Sequence, residues 1–133
     1  MKKNSGFSLV ELMIVIVIIG VLAAVAVPIY NNNVMKAKMS EADAALGSIR
    51  TQLRVYYGEN GNYPAPGTGV AVVGAGWNDI NATELDGKYF NDASYTYTCT
   101  DSSLYTIICA KGEILEADRV LNQAGTLSGG ITQ

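Results

Sequence analysis

Between Phe7 and Ile29 only one side chain can ionise, Glu11, and it stands four residues after a Gly6-Phe7 pair that follows a short basic leader, Met1-Lys2-Lys3-Asn4-Ser5-Gly6. A carboxylate is costly in so apolar a stretch, and an ionisable residue kept there marks a functional position. Basic leader, Gly, Phe and then Glu read together as a processing and assembly signal. The other reactive groups are few. Two cysteines, Cys99 and Cys109, lie in the later part of the chain, and Asp79, Glu84, Asp86 and Asp92 gather in one oxygen-rich stretch. The chain has no histidine, which removes Ser-His and Cys-His catalysis and most zinc sites. The spacing of the four acids matches no dedicated calcium loop. No catalytic constellation, cofactor or metal site is expected, and the four acids read as solvated loop residues.

These residues must be carried by elements that the hydropathy pattern outlines. Residues 7–29 form an apolar run long enough to cross a bilayer as a helix, which takes about 20 residues. Pro28 removes a backbone donor and is expected to kink or locally open that helix, and Asn31-Asn32-Asn33 weakens it further. Beyond it Met35, Met39, Ala42, Leu46, Ile49, Leu53 and Tyr56 recur at alternating spacings of four and three. This is the apolar stripe of an amphipathic helix. A helix over 7–57 would be roughly 75 Å long at 1.5 Å per residue. Gly58 and Gly61 punctuate its end.

Residues 58–94, with Tyr63-Pro64-Ala65-Pro66-Gly67 at their head, read as irregular loop with at most a short strand. From Tyr95 the period becomes two, predicting a strand over 95–100, a turn at Asp101-Ser102-Ser103 and a second strand over 104–110. A third strand is expected over 119–122, residues 113–120 suit a helical turn equally well, and Gly125 and Gly129-Gly130 read as punctuation. Nine residues between Cys99 and Cys109 permit a hairpin with the pair facing each other, so a cross-strand disulfide is expected, with free buried thiols as its rival. The predicted class is α+β. Its parts are a leader over 1–6, an apolar helix over 7–29, an amphipathic continuation over 30–57, and a head over 58–133 built on a small antiparallel sheet.

Hydrophobic residues at 49% and charged residues at 16% suit a chain with a membrane element rather than a disordered one. The formal charge is −3; loss of Lys2 and Lys3 with the leader would leave 7 basic against 12 acidic residues. An acidic surface argues against direct nucleic-acid binding. Lys36 and Lys38 balance Lys2 and Lys3 across the apolar run, so basic residues alone do not fix its topology.

At Gly6-Phe7-Ser8-Leu9-Val10-Glu11-Leu12-Met13 and on to about Tyr57 the residues resemble the type IV pilin superfamily, and Glu59-Asn60-Gly61-Asn62-Tyr63-Pro64 resembles the turn that follows its helix. The six-residue leader resembles that of the type IVa-like branch. The resemblance implies cleavage between Gly6 and Phe7 by a prepilin peptidase, N-methylation of Phe7, and an assembly role for Glu11. It also places Gly20 and Pro28 at the ends of a stretch that loses helicity in the filament. In a bundle of such helices the Phe7 amine of one subunit could meet a neighbour's Glu11, each charge being costly alone and tolerable when paired. The partners implied are further copies of the chain in a helical filament, the peptidase, the assembly machinery of the inner membrane, and the membrane itself before assembly. The precursor is expected in the inner membrane with its head outside the cytoplasm, and the assembled subunit in an extracellular pilus serving adhesion, motility or DNA uptake.

Three rivals are carried. One is a type II secretion pseudopilin, and another is a membrane-anchored binding module. The third is an ordinary signal peptide cut after Ala24-Val25-Ala26, against which Glu11 and the stripe beyond Pro28 both count.

Overall fold

The apolar run and the amphipathic stripe fold as one helix. The computed structural model describes residues 2–65 and 67–131, so the readings made at Met1, Pro66 and the last two residues lie outside the described residues. In it α1 covers Leu9–Asn60 as 52 residues without interruption. It ends where Gly61 takes a left-handed conformation (φ 72°) and its N–H reaches the Tyr57 carbonyl at 2.8 Å, the usual way a glycine closes a helix. The helix is not broken at Pro28 in the single chain, where Pro28 and Asn31–Asn33 are all helical. One missing donor removes one bond from a long ladder, and the turns on either side keep theirs. The chain divides into two compact units, one ending at Val34 and one beginning at Met35.

In the first unit every described residue from Lys2 to Asn33 is exposed. Large apolar side chains between Phe7 and Tyr30 are open over the whole helix circumference, from 49% for Val15 to 83% for Phe7. The helix is long and apolar enough to cross a membrane.

In the second unit the stripe does what its spacing predicts. Ala42, Leu46, Ile49 and Leu53 are fully buried, and Met39 packs against them at the edge. Burial of each of the larger three contributes roughly 1.5–3 kcal/mol. They meet one face of a five-stranded antiparallel sheet in chain order: β1 Gly67–Ala71, β2 Tyr95–Cys99, β3 Tyr105–Cys109, β4 Arg119–Asn122 and β5 Leu127–Gly129. Strict alternation puts Tyr95, Tyr97, Cys99, Tyr105, Ile107 and Cys109 inward, as period-two strands require. The predicted strands thus appear as β2, β3 and β4, the first two joined by the turn at Asp101. The Asp101 carboxylate accepts from the N–H of Ser103 and Leu104, each at 3.1 Å.

One strand falls outside the sequence reading of the sheet, and another lies where that reading allowed a short one. The loop allowed at most a short strand, and it supplies the exposed edge β1. The expected punctuation at Gly129 is instead the end of β5, which pairs Leu127 with Leu121 and Ser128 with Val120. Gly129 is left-handed (φ 73°), and a Cβ there would collide with the Asp118 carbonyl, so this edge strand requires glycine. A three-residue strand with an exposed face has too little hydropathy pattern to read. Of residues 113–120, open between helix and strand, 113–117 form turns and bends and 119–120 open β4.

Candidate functional site

The start of α1 is a reciprocal capping box. The Ser8 N–H donates to Glu11 Oε2 at 2.8 Å, and the Glu11 N–H donates to Ser8 Oγ at 3.2 Å. Helix starts leave four backbone donors unpaired, and a Ser-x-x-Glu pair satisfies two of them at once. The carboxylate also lies at the positive end of the helix dipole. Glu11 is therefore folded back toward the chain start. It shares with Ser5, Gly6 and Phe7 an open hollow of about 250 Å³. Three residues that the sequence singled out, Gly6, Phe7 and Glu11, are brought together here. Ser8 was missed, although Ser8-Leu9-Val10-Glu11 is itself a legible capping signature.

The Gly6–Phe7 bond lies in exposed, irregular chain, open to a protease. A Cβ added at Gly6 or at Gly20 would meet nothing within 4 Å. The chain's own fold therefore has no steric need for glycine at either place. Gly20 and Pro28 stand further along the same exposed helix and touch no other candidate.

Cys99 and Cys109 are corrected by the sheet register. Cys99 faces Tyr105 across the hairpin and Cys109 faces Tyr95. The thiols thus sit at opposite ends of the two strands, both buried and both free. Four residues of strand separate their levels, about 14 Å at 3.4 Å per residue, twice what a disulfide spans. The turn at 101–103 sets this register, and a facing pair would need the turn centred two residues later, at Leu104. Burial pushes the Cys109 thiol up to about 12, so it is a poor nucleophile.

Without a disulfide, polar contacts from α1 hold the head's outer segments. Arg119 of β4 makes a two-pronged ion pair with Asp43, Nε to Oδ1 at 2.6 Å and Nη2 to Oδ2 at 3.0 Å. Its Nη1 reaches on to the Gly129 carbonyl of β5 at 2.8 Å. Glu41 acts on the long loop. Its carboxylate accepts from the N–H of Lys88 at 3.1 Å, and of Tyr89 and Phe90 at 2.9 Å. A Cβ at Gly87 would collide with that carboxylate. Neither contact could be read from sequence, since their partners lie 47 to 76 residues apart.

Three of the four loop acids serve the backbone. Asp92 accepts from Thr83 N at 2.6 Å and Leu85 N at 3.1 Å, Asp86 accepts from Asp92 N at 2.8 Å, and Glu84 accepts from Asn81 N at 3.1 Å. The Asn81 side-chain amide, and then its backbone N–H, hold the Glu84 carboxyl below the usual carboxylate range. Among the described residues no group of three or more His, Cys, Asp or Glu side chains is placed to hold a metal ion.

Comparison with known proteins bears on this geometry at its N-terminal end first. Residues 1–27 match the prokaryotic N-terminal methylation motif. The chain is 40% identical over 90 residues to the fimbrial protein EcpC of Eikenella corrodens, covering 68% of this chain and 53% of that one. It is 38% identical over 86 residues to a fimbrial protein of Neisseria meningitidis serogroup A, covering 65% and 46%. It is 36% identical over 89 residues to the type IV major pilin protein PilE1 of Neisseria gonorrhoeae, covering 67% and 50%. The chain thus spans about half the length of the curated relatives it matches. The resemblance to type IV pilins read from Gly6 to Tyr57 is borne out.

Proposed function

We propose, from this likeness and from the exposed helix, that the chain is a structural subunit of a type IV pilus that polymerises through α1. The observation that carries the reading is the helix surface from Phe7 to Tyr30. It is apolar on all sides and uncovered within its own unit, and it is interrupted by a single carboxylate at Glu11. Such a surface needs lipid or other helices around it. The span first anchors the precursor in the inner membrane with the head outside the cytoplasm. A prepilin peptidase then cuts between Gly6 and Phe7 and methylates the new amine. Steric freedom at Gly6 supports the view that the enzyme, not the fold, asks for glycine there.

Assembly transfers the helix from lipid to a bundle of its own copies. The Phe7 amine of one subunit meets Glu11 of its neighbour, since neither charge is tolerable alone in that environment. The stretch between Gly20 and Pro28 opens only when neighbouring helices compensate for the lost bonds. That agrees with its being helical in the isolated chain. The head forms the outer surface of the fibre. The relatives named above are fimbrial proteins and a type IV pilin, and this weighs toward a pilus.

The test is the mass and N-terminal sequence of protein sheared from the cell surface, in the wild type and in Glu11→Ala. A fibre subunit beginning at methylated Phe7, with Glu11→Ala processed but absent from fibres, is expected. A chain beginning at Val27, or wild-type fibre yield from Glu11→Ala, would overturn the reading.

A further inference from the structure

Of all the asparagines in the chain, only Asn81 is followed two residues later by a serine or threonine, in the run Asp79-Ile80-Asn81-Ala82-Thr83. Asn-x-Thr with x other than proline is the acceptor pattern for N-linked sugar on exported proteins. The fold places this run where a transferase could reach it. It lies in the long loop between β1 and β2, far from any strand end, and Asn81, Ala82 and Thr83 are all exposed.

The local geometry holds the acceptor outward. Asp92 grips the Thr83 and Leu85 N–H groups from the inner side of the turn, at 2.6 and 3.1 Å. That grip keeps Thr83 in a left-handed conformation (φ 73°), which threonine rarely adopts. The Asn81 amide nitrogen points to two acceptors on the outer side, the Asp79 carbonyl at 3.2 Å and Glu84 Oε1 at 3.0 Å. Both belong to exposed residues, so water can replace either at little cost.

We infer that Asn81 is a site of N-linked glycosylation on the head surface, with a lipid-pyrophosphate-linked oligosaccharide as donor. The inference rests on the export of the head proposed above. In the transfer, Asn81 Nδ2 forms a bond to the anomeric carbon of the sugar. The bond from that carbon to the pyrophosphate oxygen breaks, and the polyprenyl pyrophosphate leaves with its electron pair. One Nδ2 proton passes to a carboxylate base of the transferase. The remaining N–H still reaches one of its two present acceptors. The turn therefore keeps its shape with the glycan attached, and the sugar covers the loop over 78–91.

The experiment reads the intact and peptide masses of the chain purified from its native cells. The peptide holding Asn81 is expected to be heavier than its sequence by a glycan mass. Asn81→Gln and Thr83→Ala should each abolish the whole shift, and Thr83→Ser should retain it. An unshifted peptide from the native sample overturns the proposal. So does a shift that survives Asn81→Gln, which would place sugar on a hydroxyl instead. The same spectra show whether the chain begins at Phe7, so a failure of the pilus reading is seen separately from a failure at Asn81.

Discussion

Replacing Glu41 by alanine should detach the long loop from α1, and the size of the effect follows from the donors it leaves. The carboxylate serves three backbone N–H groups, of which those of Tyr89 and Phe90 sit in partly buried surroundings and that of Lys88 is exposed. Water replaces the acceptor at Lys88 at little cost. A covered donor left without a partner costs about 1–3 kcal/mol, so Glu41→Ala is expected to lower stability by about 2–4 kcal/mol. Gly87 provides an independent route to the same loss. Its Cβ would occupy the place of the Glu41 carboxylate, and the flexible glutamate would swing away and give up the same three bonds. Gly87→Ala should therefore cost about as much as Glu41→Ala, and the double variant hardly more than either alone, a strongly non-additive cycle. Urea unfolding of the detergent-solubilised chain, followed by Trp77 fluorescence, measures the cycle, and hydrogen exchange at Tyr89 and Phe90 localises it. Additive losses, or a Glu41→Ala variant within about 0.5 kcal/mol of wild type, would refute the reasoning.

Asp43→Ala leaves the Arg119 guanidinium, only 11% exposed, without its carboxylate. A loss of about 2–3 kcal/mol and faster proteolysis after β4 are expected, and limited digestion followed by mass analysis checks both. Because the cysteines are free and four strand positions apart in level, a reducing agent should leave the melting temperature unchanged, and thiol labelling should count two thiols once the chain is unfolded but close to none when folded. Burial also sets an alkaline limit. Cys109, Tyr95 and Tyr97 all have folded pKa values above their ordinary ones, so in base the unfolded chain releases protons that the folded chain keeps. The stability they confer is complete below about pH 9 and falls as pH rises beyond it. Thermal melts between pH 7 and 10.5 should show that decline, and Cys109→Ala should reduce it.

The sequence by itself determined the elements whose signals are local and repeated. A run of apolar residues with one carboxylate, a stripe at spacings of three and four, and alternation from Tyr95 are each visible within a few turns of chain. They gave the long helix, its buried face, and β2 to β4. Gly6, Phe7 and Glu11 were legible for the same reason, being neighbours in sequence, and the Ser8 cap that holds Glu11 was legible too but passed over. What only the tertiary structure decided involves segments that meet across long separations. The position of the turn at 101–103 set the hairpin register and so kept Cys99 from Cys109, which spacing alone suggests would face each other. The place of α1 against the sheet turned Glu41 and Asp43, otherwise ordinary off-stripe acids, into the anchors of the long loop and of β4. Hydropathy pattern records which side of an element is buried, because burial is a property each residue pays for or gains from individually. It does not record which donor a carboxylate will face, because that depends on where another part of the chain comes to rest.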